Sequence, residues 1–133
     1  MISTASYFTS KAPGRISISL GVPKGFEELP RYLALAPTSD ILRIENEELY
    51  EARYLALLRG MNARQVERDL RALVPGHEPV LCCWEKPPFT EKNWCHRRMA
   101  ARWIEVQLGI RVPEFEPPPP EPSRQLGMFG GAR

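Results

Sequence analysis

The residues with the most chemistry in this 133-residue chain lie in two short runs, Cys82-Cys83-Trp84-Glu85 and Trp94-Cys95-His96-Arg97-Arg98. Side chains alternate along an extended chain, so Cys83 and Glu85 share one face and Cys82 and Trp84 the other. If the second run opens a helix, its free N–H groups and partial positive charge sit where Glu85 leaves the strand, the usual ligand position of parallel sheets. There Arg97 can hold a phosphate or carboxylate through two parallel hydrogen bonds. Glu85 or His96 can move a proton once burial tunes its pKa. Cys95, at the helix start, can carry a depressed pKa and act as a nucleophile. The plainer alternative is a Glu85–Arg97 salt bridge pinning helix to strand, with Cys95 a small packable side chain.

Three cysteines and a histidine also raise the question of zinc. Cys82 and Cys83 project to opposite faces, Cys95 and His96 are neighbours, and there is no Cys-x-x-Cys spacing, so one tetrahedron would struggle to collect all four. The expectation is therefore no metal and no other cofactor, with Cys82 and Cys83 in the core. His77, beside Pro75-Gly76, reads as a solvated turn residue.

The elements that position these groups alternate between strand and helix. Met1 to Phe8 and Arg15 to Leu20 are β-prone, separated by Ala12-Pro13-Gly14. Val22 to Pro37 holds four helix-breaking residues, Pro23, Gly25, Pro30 and Pro37, and reads as an extended loop with one helical turn between Glu27 and Leu35. One helix is expected from a cap at Thr38, Ser39 or Asp40, through Tyr50, Tyr54, Leu57 and Leu58, to Gly60. A second starts with the capping-box-like pair Asn62 and Gln65 and carries Val66, Leu70 and Leu73 on one face. Val80-Leu81-Cys82-Cys83-Trp84 is apolar on both faces and predicts a central strand of a parallel sheet. A helix over 95–108 follows, with Met99, Trp103 and Val106 on its apolar stripe and Gly109 as terminator. Ile110 to Val112 is a last short strand. The fold expected is α/β: a small three-layer, Rossmann-like domain with a mostly parallel sheet.

Ser3-Thr4-Ala5-Ser6-Tyr7-Phe8, Leu35-Ala36-Pro37, the strand running into Glu85 and Lys86, and above all Cys95-His96-Arg97 resemble the YeaO-like family, domain of unknown function 488. The likeness spans residues 1–115. It implies a compact α/β domain without a settled reaction. By the same resemblance Cys83, Glu85, Cys95, His96 and Arg97 are signature positions, with Ser6 and Tyr7 near the same pocket. Trp84 and the Pro87-Pro88-Phe89 loop are variable features at its rim.

Residues 116–133 differ in kind. Pro117-Pro118-Pro119-Pro120-Glu121-Pro122 favours an extended, semi-rigid spacer. Beyond it, Gln125-Leu126-Gly127-Met128-Phe129 resembles the bacterial sliding-clamp-binding peptide, Gln-Leu-any-Leu-Phe, with Met128 in the second Leu position. Leu126, Met128 and Phe129 would fill an apolar cleft while Gln125 adds a directional hydrogen bond. The competing reading folds Phe129 back onto its own domain.

Composition sets the frame. Apolar residues at 43% and charged residues at 26% suit a soluble globular chain, and a net charge of +2 argues neither for nor against nucleic acid. No apolar run approaches the length of a membrane span and no basic-then-apolar leader opens the sequence, so a cytoplasmic protein without membrane contact is expected. An odd cysteine count with two adjacent fits a reducing compartment better than a disulfide framework. Two function classes follow. One is a bacterial or phage enzyme of DNA or nucleotide metabolism, clamp-tethered, in which Arg97 holds a phosphate, Glu85 is general acid or base, and His96 or Tyr7 orients the substrate. The other is a non-catalytic adaptor that occupies the clamp and presents its body to DNA or to another protein.

Overall fold

Val80–Cys83 is buried at every position, as its unbroken apolar run requires of a strand covered on both faces. It forms β3 in the computed structural model, which describes residues 1–86, 89 and 94–115. β1 (Ser3–Ser6) and β2 (Arg15–Ser17) flank it, both parallel to it, in the order β1-β3-β2. The register sets Ser6 and Ser17 beside Cys83 and Cys82, so all three strands release their chains at one edge.

The outer strands are shorter than the β-prone runs that contain them. Ile110 to Val112 forms no strand. Instead Glu114 makes an isolated parallel bridge with Thr4, whose N–H donates to Pro113 O (2.9 Å) while its carbonyl accepts from Phe115 N–H (2.7 Å). Pro113 lacks an N–H and cannot extend a ladder in both directions, which keeps the pairing this short.

Between β2 and β3 come a 3-10 turn at Leu33–Leu35 and three helices: α1 (Ser39–Leu42), α2 (Glu47–Arg59) and α3 (Ala63–Leu73). The single helix expected from Thr38 to Gly60 is thus two. Thr38 caps α1, but Asn46 opens a fresh N-terminus by accepting from Leu49 N–H at 2.9 Å. Asn62 caps α3 as expected (3.0 Å to Gln65 N). The Gln65 side chain turns forward to Asp69 (2.7 Å) rather than back, so the capping box is half made. α4 (His96–Leu108) starts at N-cap Cys95 and ends at Gly109, whose φ of 67° is the left-handed cap that glycine adopts freely.

One core joins Tyr50, Tyr54, Leu58, Val66, Leu70, Met99, Trp103 and Ile104 to Ile2, Ile16, Ile18 and Leu81 on one side of the sheet. Val106, expected on the stripe of α4, is 74% exposed, and Ile104 fills the buried position. Ala5, Tyr7, Val80 and Cys82 face the other way, under Phe26 and Leu29 of the loop. The domain is α/β with an open, all-parallel sheet, and its third layer is irregular chain instead of helix. Among the described residues no helix is long and apolar enough to cross a membrane.

Gly14 marks the closest backbone approach. A Cβ there would stand 1.9 Å from Glu78 O, and the Gly14 carbonyl accepts from Val80 N–H at 2.8 Å. Gly14→Ala should therefore cost about 2 kcal/mol by forcing β2 and β3 apart. A urea midpoint matching the parent protein would show that these backbones part without penalty.

Candidate functional site

β3 ends at Cys83, and the N-cap of α4, Cys95, returns to meet it, their sulfurs joined in a disulfide. This departs from the thiol-only expectation. Alternation works as anticipated: Glu85 Oε1 lies 3.8 Å from Cys83 Sγ, while Cys82 packs under the opposite face with Tyr7. The Cys82 thiol is directed at Val80 O (3.6 Å), and burial pushes its pKa up to about 12, so it stays an inert thiol.

Arg97 is fully buried and each of its three side-chain nitrogens has a partner. Nη1 donates to Cys83 Sγ at 2.9 Å, while Nε and Nη2 donate to the two oxygens of Glu114 at 3.0 and 2.8 Å. One expectation is corrected here. The salt-bridge partner of Arg97 is Glu114, not Glu85, and the guanidinium is committed to that carboxylate. Glu114 arrives through the bridge to Thr4, a contact that sequence spacing does not announce. Thr4 Oγ1 donates to Glu114 at 2.6 Å, and Arg98 Nη1 donates to Thr4 Oγ1 (2.8 Å) and Val112 O (2.9 Å), so the carboxylate is held from several sides.

His96 is pinned equally firmly. Its Nε2 lies 2.7 Å from Ile18 O, and a carbonyl only accepts, so Nε2 carries the hydrogen. Nδ1 then presents its lone pair towards Cys95 Sγ, 3.8 Å away. Burial pushes the imidazole pKa down to about 4, and the neighbouring Arg97 charge acts in the same direction. The ring is neutral near pH 7, able to accept a proton or bind an electrophile through Nδ1 but not to donate as an acid.

Glu85 is half-buried. Burial raises the pKa of the Tyr50 hydroxyl, and the nearby Glu85 charge raises it further. Tyr50 packs edge-on against Trp94 (4.4 Å between centroids), and Tyr54 against His96 (5.4 Å). Tyr7 does not join this group: its hydroxyl is shared with Ser17 and Ser19 on the other face of the sheet, and burial raises its pKa. Ser6 lies beside Cys83 but serves the turn, donating to Trp84 O and accepting from Phe8 N–H, both at 3.2 Å.

Cys83, Glu85, Cys95, His96 and Arg97 are therefore brought together, and Tyr7 and Cys82 are not. Thr4, Ile18 and Glu114 were not legible as members, whereas Phe89, expected at the rim, sits with its ring 4.8 Å from the Arg97 guanidinium. A cleft of 140 Å³ reaches Cys95 between Glu47, Glu51, Trp94 and Arg98. A larger one, of 520 Å³, lies at the amino ends of the strands, lined by Ser3, Gly14, His77 and Val80, and holds none of the cluster. Gln125, Leu126, Met128 and Phe129 lie outside the described residues. Comparisons with protein families, curated proteins and solved structures return no match to this chain.

The two carboxylates should behave oppositely. Glu114→Ala strands a buried guanidinium and is expected to cost about 3–5 kcal/mol, whereas Glu85→Ala should stay within about 1 kcal/mol of the parent. Denaturant unfolding of the two variants checks this, and equal losses would remove the assignment of Glu114 as the partner of Arg97.

Proposed function

We propose that this protein works in DNA or nucleotide metabolism, in repair or in base or nucleotide modification, held at the replication sliding clamp by Gln125, Leu126, Met128 and Phe129. The observation that carries this reading is the tail sequence: a clamp-type peptide behind a run of prolines, the arrangement that offers a short apolar motif to a partner at low cost to the body. Tethering raises the local concentration of a weakly binding domain at replicated DNA.

The surface of the body suits the same reading. Phe8 and Trp84, at the exits of adjacent strands, are 48% and 44% exposed, with ring centroids 6.3 Å apart and Lys86 Nζ 5.4 Å from the Phe8 ring. A groove of 480 Å³ runs past Phe8 and Phe26 between Lys11 and Arg15. Aromatic faces beside cations are what unstacked bases and their phosphates bind. Trp84 directly follows Cys83 but turns to the loop side, so a base stacked there shares the strand edge with the sulfur, imidazole and carboxylate cluster and lies on the opposite face of the sheet. In this reading the sulfurs, Glu85 and neutral His96 carry the chemistry, and Arg97 positions Cys83. The adaptor reading draws on the saturation of Arg97: the cluster is then structural and the groove binds DNA without turnover.

Calorimetry with a bacterial sliding clamp tests the tether. Binding near micromolar, roughly −8 kcal/mol, is expected, with loss in Leu126→Ala/Phe129→Ala; an intact protein that does not bind removes the clamp from the reading. Phe8→Ser/Trp84→Ser should weaken binding of a single-stranded oligonucleotide by about 1–3 kcal/mol per stacked base. An unchanged affinity takes the nucleic acid away from this rim.

A further inference from the structure

The donor atoms of Cys83, Cys95 and His96 all lie within 4.8 Å of one another, each on a buried residue. We propose that in its dithiol state this cluster binds one divalent zinc-class cation through Cys83 Sγ, Cys95 Sγ and His96 Nδ1, with the fourth position facing Glu85. The inference goes beyond the clamp reading and stands whether or not the tail binds a partner.

The joined sulfurs and the metal site are alternative uses of the same two atoms. A reductant opens the pair to two thiols with two electrons and two protons: two external thiols supply both and leave as their own disulfide, or a phosphine supplies the electrons and leaves as its oxide, the protons and oxygen then coming from water. Metal binding then displaces two protons to solvent and leaves two thiolates on the ion. Zn–S bonds of about 2.3 Å in a tetrahedron put the two sulfurs about 3.8 Å apart. The Cα atoms of Cys83 and Cys95 stand 7.4 Å apart, wider than the about 4.4–6.8 Å usual for directly bonded cysteines, which leaves room for an ion between the side chains.

The surroundings supply what a metal-binding histidine and thiolate need. His96 Nε2–H is fixed on Ile18 O, the outer-shell hydrogen bond that sets tautomer and ring orientation and aims Nδ1 at the sulfurs. Arg97 Nη1 donates to Cys83 Sγ, stabilising a thiolate there, and Cys95 stands at the N-cap position of α4, where negative charge is favoured. The charges balance: two thiolates offset a dication, His96 is neutral, and Arg97 is offset by Glu114. Two sulfurs and one imidazole nitrogen select zinc over magnesium or calcium, which prefer all-oxygen sites. The spacing objection to zinc applies to Cys82, which faces away. It does not reach the other three, because the turn into α4 lets neighbours Cys95 and His96 point to one place.

The test uses the full chain, reduced with a phosphine and titrated with Zn²⁺ and separately with Co²⁺. One equivalent of Zn²⁺ retained through gel filtration is expected, as is a Co²⁺ spectrum with tetrahedral d–d bands and a thiolate-to-metal charge-transfer band. Cys83→Ser and His96→Gln should lose more than the about 10–100-fold that removing an outer-shell partner costs, whereas Cys82→Ser should bind as the parent does. Circular dichroism establishes that each variant is folded. If a ligand variant is not, the Co²⁺ spectrum of the parent decides, since an octahedral spectrum without the charge-transfer band overturns the proposal. So does a reduced parent protein that retains no zinc, or binding that survives loss of Cys83 and His96 in folded variants.

Discussion

A guanidinium with no exposed surface organises this domain. Taking such a cation out of water costs several kcal/mol even after relaxation, and only excellent geometry returns it. Arg97 meets that demand with a forked pair to Glu114 and a contact to Cys83 Sγ. Glu114 must then be where the fork needs it, which ties the segment after α4 back onto Thr4 of β1. First strand, central strand, last helix and the chain beyond it are linked through one side chain. Among the described residues no buried side-chain nitrogen or oxygen lacks a partner, which is the condition for tolerating a charge there.

The same arrangement shapes the chemistry of the neighbours. The cation is offset by Glu114, and its Nη1 donor polarises a sulfur. His96, packed against Tyr54 and bonded to the Ile18 carbonyl just past β2, stays neutral with one nitrogen turned to the sulfurs. The cluster is thus two sulfurs, an unprotonated imidazole nitrogen and a half-exposed carboxylate at the carboxyl edge of a parallel sheet. Sulfur, uncharged imidazole and carboxylate suit soft electrophiles and metal ions better than the anion-binding role the residue types suggest at first sight.

The two faces of the sheet carry different tasks. The helices cover one face and enclose the cluster. Irregular chain covers the other and leaves aromatic rings of Phe8, Phe26 and Trp84 grouped near its edge. Strand alternation produces this division: Cys83 and Glu85 go to the helical side, Cys82 and Trp84 to the loop side.

Local pattern was enough to determine the central strand, a cap within Thr38 to Asp40, the cap at Asn62, the stop at Gly109, the start of α4 and the shared face of Cys83 and Glu85. Each depends on a few consecutive residues whose backbone preferences agree. The break between α1 and α2 was also written locally, in Asn46, but the long apolar periodicity around it masked the second cap. Other features were decided only by tertiary structure: which carboxylate meets Arg97, that Tyr7 turns away from the cluster, that Ile104 rather than Val106 is buried, and that irregular chain forms the third layer. Glu114 and Arg97 lie on opposite sides of a helix terminus, and no periodicity relates them; their pairing follows from where the bridge to Thr4 sets the chain. Burial of Arg97 is likewise a property of the assembled layers, because a cation's cost and its partner are fixed only once the surrounding elements have excluded water.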